Sequence, residues 1–317
     1  MERHNNTNHF DKNTDTTEQC DILPLPSRRR FGDRAEGRRI RSLEPITVVA
    51  PFIMPDRVGS QNFFEDSIDI SAAERFVHKK RSEGCTGIGI MHVLIAAYVR
   101  TISQRPGINR FISGLRLYAR YNIEVGMMVK KAMTLEAEET MMKFFFDHRA
   151  TVTDVYTLMT QKIDAYQGKK EEKESAFDKL ARLLGYMPRF QLRSAIALLD
   201  WLDFHNRLPE RLRRLSPFHC SVVFSSMGSL GIAPVFHHLY NFGNVPIFIT
   251  FSTMRKTREV TRDGDVQRIR RLDLAVTVDE RICDGFYFAS AFHELRKYLK
   301  NPELLEVPPE KIVYDIE

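Results

Sequence analysis

The 317-residue chain has little from which to build a covalent or metal-bound framework. Its four cysteines, Cys20, Cys85, Cys220 and Cys283, are scattered, with no CxxC pair and no tight cluster with histidine. That spacing argues against a disulfide scaffold and a structural zinc site, so no metal is expected. It fits a reducing, cytoplasmic setting. No GxGxxG turn and no Walker motif occurs, which leaves nucleotide-binding enzyme classes with little support. The polar opening, MERHNNTNHFDKNTDTTEQC, lacks the apolar h-region of a secretory signal. One tract lacks charge altogether: Leu215 to Met254 contains no Asp, Glu, Lys or Arg. A run of that length invites a membrane-spanning reading. However, Gly228, Gly231, Gly243, Pro234 and Pro246 punctuate it, and it holds no stretch of about twenty apolar residues. It reads instead as two buried strands, CSVVFSS and VPIFITFS, joined by a long loop deep in the protein.

What is present suffices for a globular core, since 43% of residues are hydrophobic. The net charge of +6 is modest but uneven: RRRFGDRAEGRRIR, residues 28–41, sets seven arginines against two acids. Residues 1–41 therefore read as a disordered polar and arginine-rich leader. It is either a solvated, mobile tail or an arm for an anionic surface or acidic partner. Residues 42–317 form the folded domain.

Within that domain, ITVVAPFIM suggests a buried strand or turn-strand element, ended by Pro55. FFEDSIDIS is a strand entering a helix, where Ser71 and Glu74 have capping-box spacing. IGIMHVLIAAYVRTIS is an apolar helix ending before Arg105-Pro106-Gly107. FISGLRLYARY and NIEVGMMVKK are hairpin-like strands, and ETMMKFFF is a third. Thr151 to Tyr166 has helical spacing, closed by Gly168. Residues 169–216 change character, with two amphipathic helices broken around Pro188 and a short basic helix after Pro209. The only tryptophan, Trp201, lies there. Such a block either packs on its own domain or docks a partner or membrane surface. LDLAVTV alternates as a strand, and a helix runs through Phe288, Phe292, Leu295 and Leu299 to a stop near Pro302.

The most informative segment is Asp279-Glu280-Arg281-Ile282-Cys283-Asp284-Gly285-Phe286. It resembles the DHRxxDG signature of dihydrolipoyl acyltransferase cores and the HxxCDGF form of chloramphenicol acetyltransferases. Phe224-Ser225-Ser226-Met227-Gly228-Ser229-Leu230-Gly231 is similar to the TISNLGxxG segment of the same cores. The turn Arg105 to Asn109, the strand Tyr121 to Gly126, the prolines 234 and 246, and Asn301 to Leu305 also match family segments, in family order. The resemblance covers residues 45–168 and 217–307, and leaves 169–216 as an insertion. It implies a chloramphenicol acetyltransferase-like fold, mixed α+β, with a large mixed sheet flanked by helices. It further implies a homotrimer with active sites between subunits, and coenzyme A as acyl-carrying co-substrate. No lipoyl or peripheral-subunit-binding domain is read ahead of the core.

In the resembled family a neutral imidazole takes the proton from an acceptor thiol or hydroxyl as it attacks an acyl thioester, and a serine steadies the oxyanion. Here Glu280 stands at the histidine position, and a carboxylate of ordinary pKa is a poor base at neutral pH. Three readings follow. Burial could make Glu280 a base of raised pKa. Glu280 could instead mark a catalytically inactive scaffold that binds partners. Or His237 or His238, in the charge-free tract, could supply the base. By the resemblance Ser225 is the oxyanion hydroxyl, and Asp279, Arg281 and Gly285 support the motif. Asp284 is the aspartate that braces the loop against an arginine, for which Arg41 and Arg57 are candidates. Gly285 would permit a tight strand-to-helix turn. Cys283 is read as a packed residue, because no His/Asp arrangement activates it.

Overall fold

The computed structural model describes residues 29–130, 139–167, 182, 184–260 and 264–317. A short strand β1 (Gly37–Arg39) leads to helix α1 (Pro45–Ile53) and strand β2 (Gln61–Asp69). Helices α2 (Ser71–Ser82) and α3 (Ile90–Gln104) precede strands β3 (Arg110–Ser113) and β4 (Arg116–Arg120). Next come β5 (Ile123–Lys130), β6 (Glu139–Phe146) and α4 (Val152–Gln167). Beyond them lie α5 (Arg189–Phe204) and α6 (Glu210–Leu215). The C-terminal part adds β7 (Val222–Ser226), β8 (Ile247–Phe251), β9 (Arg255–Val260), β10 (Val266–Asp279) and α7 (Gly285–Lys300).

Seven strands form one sheet in the order β2-β10-β8-β7-β5-β6, with β9 paired to β10. The β5–β7 and β7–β8 contacts are parallel and the rest antiparallel. Strands β1, β4 and β3 make a separate three-stranded sheet. This is the mixed α+β fold with a large mixed sheet that the sequence implied. Alternation along the strands gives the large sheet two distinct faces. Ile247, Ile249, Val276 and Val278 point into the main core, which α3 and α7 cover. Val223 and Phe248 point the other way, into a small cluster with Cys220, Leu239 and Val245. Helix α3 is buried over most of its length, which is why its sequence is apolar on every side. None of the described helices is long and apolar enough to cross a membrane.

Several elements differ from the sequence reading. ITVVAPFIM is not a buried strand but α1, which begins with Pro45 in its first turn and buries only Pro51. Proline is pre-organised for a helix start, and the β-branched run pairs with no strand among the described residues. Ser71 does not cap α2. Its N–H and hydroxyl both donate to Asp69, while Glu74 pairs with Arg270 of β10. FISGLRLYARY is itself a hairpin, turned by Gly114 and Leu115 with φ of 55° and 57°. That pair of left-handed residues is how a two-residue turn matches strand twist. The loop after β7 is not deep: Ile232, Val235, Phe236, His238 and Tyr240 are exposed. Gly168 and most of the first insertion helix lie outside the described residues.

Part of the arginine-rich leader is structural. β1 pairs with β4, and Arg34 is 2% exposed. Its guanidinium donates to Glu36 at 2.8 Å and pairs with Asp203 of α5. Around them Arg213 faces Glu36 and Glu124, Lys143 lies 3.2 Å from Glu124, and His219 Nε2 lies 3.5 Å from Asp203. This buried network ties residues 34–36 and the insertion helices to β5 and β6. The guanidinium of Arg34 and the imidazole of His219 hold the Asp203 carboxyl down at about 2 despite its burial. Burial keeps His219 below its ordinary value of 6.5.

The unfolded chain therefore takes up a proton at this histidine as pH falls through 6.5, while the native state resists it, so stability drops on acidification. Replacing His219 with Gln is expected to flatten the fall in unfolding free energy between pH 7 and 5 by up to about 1.4 kcal/mol per pH unit. Urea unfolding across that range reads it. An unchanged slope would show that His219 does not carry the acid response.

Candidate functional site

The segment from Asp279 to Phe286 closes β10 and opens α7. Asp279 is fully buried and clasped from both sides. Arg281 grips it bidentately, Nε to Oδ1 at 2.8 Å and Nη2 to Oδ2 at 2.7 Å. Arg57 brings its Nε to 3.4 Å of Oδ2. The remaining guanidinium nitrogens reach outward: Arg57 donates to the carbonyls of Tyr240 (2.7 Å) and Ile112 (3.0 Å), and Arg281 to that of Met54 (2.8 Å). One carboxylate thus pins the motif to the end of α1, to β3 and to the loop before β8. Burial pulls the Arg57 guanidinium below its ordinary pKa, and Asp279 opposes that fall.

Glu280 follows directly and is held on two sides. Its backbone N–H donates to the Ser60 carbonyl at 2.9 Å, and its Oε2 accepts from Asn62 Nδ2 at 2.6 Å. Glu280 and Asn62 line a cavity of about 690 Å³ between α1, β2 and α7, with largely apolar walls. Cys283 lines it too, and burial pushes its thiol well up, so it packs rather than attacks. The entrance to α7 is made by Asp284, whose carboxylate accepts the Tyr287 N–H at 2.7 Å. Tyr287 in turn receives the Gly107 N–H at 2.9 Å, and a Cβ on Gly107 would stand 2.7 Å from its ring. Glycine in the Arg105-Pro106-Gly107 turn is therefore set by that ring.

Asp284 does not brace the loop against an arginine. Arg57 is used by Asp279 and Arg41 by Asp33, so Asp284 serves α7 as its cap. Nor does Gly285 need its conformational freedom. A Cβ there would meet nothing within 4 Å.

The other expected site residues lie elsewhere in this chain. Ser225 is level with Thr250, and Thr250 with Ala275, five residues short of Glu280. At about 3.3 Å per residue and 4.8 Å per strand, Ser225 is roughly 20 Å from Glu280. It also points to the opposite face, that of Val223 and Phe248. His237 and His238 lie on that face as well. His237 stacks on Phe248 with ring centroids 4.5 Å apart, Phe236 meets Phe63 edge-on, and the Leu239 N–H donates to Gln61. Gln61 and Phe63 alternate with Asn62 and Phe64, the pair that lines the Glu280 cavity. The sheet therefore separates both histidines from Glu280. Burial lowers the His237 pKa, and its Nε2 is buried with no hydrogen-bond partner among the described residues.

Asn62 and helix α1 were not found from sequence. The alternation of FFEDSIDIS marks which residues share a face, but its antiparallel pairing with β10, which sets Asn62 opposite Val278, is a long-range fact.

No family model matches the chain, and no curated protein matches it. Solved structures do. A probable dihydrolipoamide acetyltransferase from Listeria monocytogenes is similar over 82% of this chain and 95% of its own, at 11% identity and a TM-score of 0.53. A truncated catalytic core of the 2-oxoacid dehydrogenase multienzyme complex from Thermoplasma acidophilum is similar over 83% and 98%, at 11% identity and a TM-score of 0.50. A chloramphenicol acetyltransferase matches over 80% and 94%, at 11% identity and a TM-score of 0.47. On the first two, the chain has the chloramphenicol acetyltransferase-like fold of acyltransferase catalytic cores.

The clasp and the cap should differ in weight. Asp279→Asn leaves two buried guanidinium groups sharing a neutral partner and is expected to cost about 3–5 kcal/mol. Asp284→Ala should cost only about 0.5–2 kcal/mol, as the loss of a helix cap. Paired denaturant titrations decide between them, and the reverse order would restore Asp284 as the brace.

Proposed function

We propose that this protein is a cytoplasmic acyltransferase that moves an acyl group from a coenzyme A or related pantetheine thioester to a thiol or other small acceptor. The observation that carries the reading is the Glu280 carboxylate at a strand-to-helix turn on an acyltransferase fold, held by Asn62 over an apolar cavity. In the proposed step the acceptor's X–H attacks the thioester carbonyl while Glu280 takes its proton. The tetrahedral oxyanion accepts a hydrogen bond from a hydroxyl. Collapse then breaks the C–S bond, the departing thiolate recovers the proton from Glu280, and acylated acceptor and free thiol result.

Ser225 is the proposed hydroxyl, and the roughly 20 Å to Glu280 within one chain supports a site shared between subunits. A homotrimer would set the Glu280 side of one chain against the Ser225 side of the next. Exposed apolar groups fit such contacts on both sides: Ile46, Phe52 and Phe286 near the cavity, and Ile232, Val235 and Phe236 beyond β7. The insertion helix α5 also exposes Phe190, Leu198 and Trp201, a surface suited to a further protein partner. Arg29 and Arg30, at the start of the described leader, are exposed and suited to an anionic surface.

The test begins with calorimetric titration of coenzyme A and acyl-CoA, followed by turnover. Glu280→Gln is expected to lower kcat by about 10²–10⁴-fold, and Ser225→Ala by about 10²–10³-fold. Subunits of these two variants, unfolded and refolded together, should recover activity that neither has alone. Recovery requires Glu280 and Ser225 from different chains, and its absence would remove Ser225 from the site. If no thioester binds, or if Glu280→Gln turns over normally while Glu280→His does no better, the glutamate-base reading fails. Absent binding would leave a partner-binding scaffold in its place, whereas normal turnover by Glu280→Gln would assign the base to another residue.

A further inference from the structure

We propose that the groove beside Glu280 selects its acyl donor by length, preferring a linear apolar acyl chain of medium length to acetyl. This rests on the acyl-transfer reading above and names the substrate class of the same site. Three walls define the groove. Ile46 and Ala50 of α1, with Met54 at its C-terminal cap, recur every fourth residue and form one apolar stripe. Phe288 and Phe292 recur likewise on α7 and form the second. Phe64 of β2 closes the floor, its ring edge-on to Phe292 with centroids 4.8 Å apart.

The polar groups sit at the two ends. At one end Asn62 holds the Glu280 carboxylate where the thioester carbonyl would react. At the other, Arg296 is engaged by Asp66 at 2.8 Å, so the far end is capped by a satisfied ion pair rather than an open charge. Gly285 to Arg296 is eleven residues of helix, or about 16 Å at 1.5 Å per residue. An apolar channel of that length, with Glu280 and Asp284 at one end and the paired Arg296 at the other, suits a hydrocarbon chain.

Size points the same way. The cavity holds about 690 Å³, whereas an acetyl group, taking each heavy atom at the roughly 30 Å³ share of a water, fills about one-eighth of it. A two-carbon acyl group would leave exposed Ile46 and half-buried Ala50, Met54 and Phe64 facing water. Each further methylene laid along them is expected to tighten binding about three- to fourfold until the groove is full. The placement of α1 also finds a use here. An apolar helix that buries only Pro51 in its own domain supplies one side of the groove.

The experiment compares acetyl-, butyryl-, hexanoyl-, octanoyl- and dodecanoyl-CoA with the full chain. The expected result is a kcat/KM that rises by at least tenfold from acetyl to octanoyl. Ala50→Trp and Ala289→Trp, which narrow the groove from opposite walls, should lower the octanoyl-to-acetyl ratio at least tenfold. Two variants are used so that misfolding of one leaves the other to decide. Acetyl turned over as well as octanoyl, or a ratio unmoved by either tryptophan, overturns the proposal and leaves the acyltransferase reading intact. If no thioester is turned over, that reading falls, and the groove is judged by calorimetry with octanoyl- and acetyl-pantetheine. Tighter binding of octanoyl, abolished by Ala50→Trp, sustains the length selection. Equal or absent binding ends it.

Discussion

The site depends on one buried carboxylate shared by two guanidinium groups. Asp279 has no access to water, and Arg57 and Arg281 are nearly as enclosed. Ions so placed are costly unless every donor is satisfied. The surplus donors are used by backbone carbonyls of Met54, Ile112 and Tyr240. Those three carbonyls belong to three different parts of the chain, so satisfying the ions also fixes the tail of α1, β3 and the loop before β8 relative to the motif. Glu280 is the next residue after this clasp, and its position follows from it.

The large sheet then divides the chemistry. Its strands run through the middle of the domain, and alternation sends neighbouring side chains to opposite faces. Glu280, Asn62 and the apolar groove share the side covered by α7. Ser225, His237 and His238 share the other. No rotamer change crosses a sheet, so these groups do not meet within one chain. The chain's exposed apolar residues lie on both of these surfaces.

The insertion and the arginine-rich leader are joined to the same domain by charge. Arg34, Glu36, Asp203, Arg213 and His219 are buried together, and each lies against an ionisable partner distant in sequence. Part of the leader's positive charge is thus paired internally: Arg34 with Glu36 and Asp203, and Arg41 with Asp33. A cluster of arginines in sequence is not by that fact a free basic surface.

Local pattern determined much from sequence alone. The apolar helix α3, the alternating strand β10, the helices beside Pro188 and Pro209, and the strand-turn-helix from Asp279 to Phe292 are set by period, proline placement and capping chemistry, all local properties. The ordered motifs pointed to the fold and to Glu280. Tertiary structure decided what depends on pairing across the chain. Asp279, not Asp284, is the braced acid, because the arginine that reaches the turn from far off, Arg57, arrives beside the strand end. Asn62 meets Glu280 only through the register of β2 on β10. ITVVAPFIM forms a helix that starts at Pro45, and the groove exists because that helix stands opposite α7. Glu280 was legible as a residue in a motif. What it faces was not, since burial and register come from contacts that no local pattern contains.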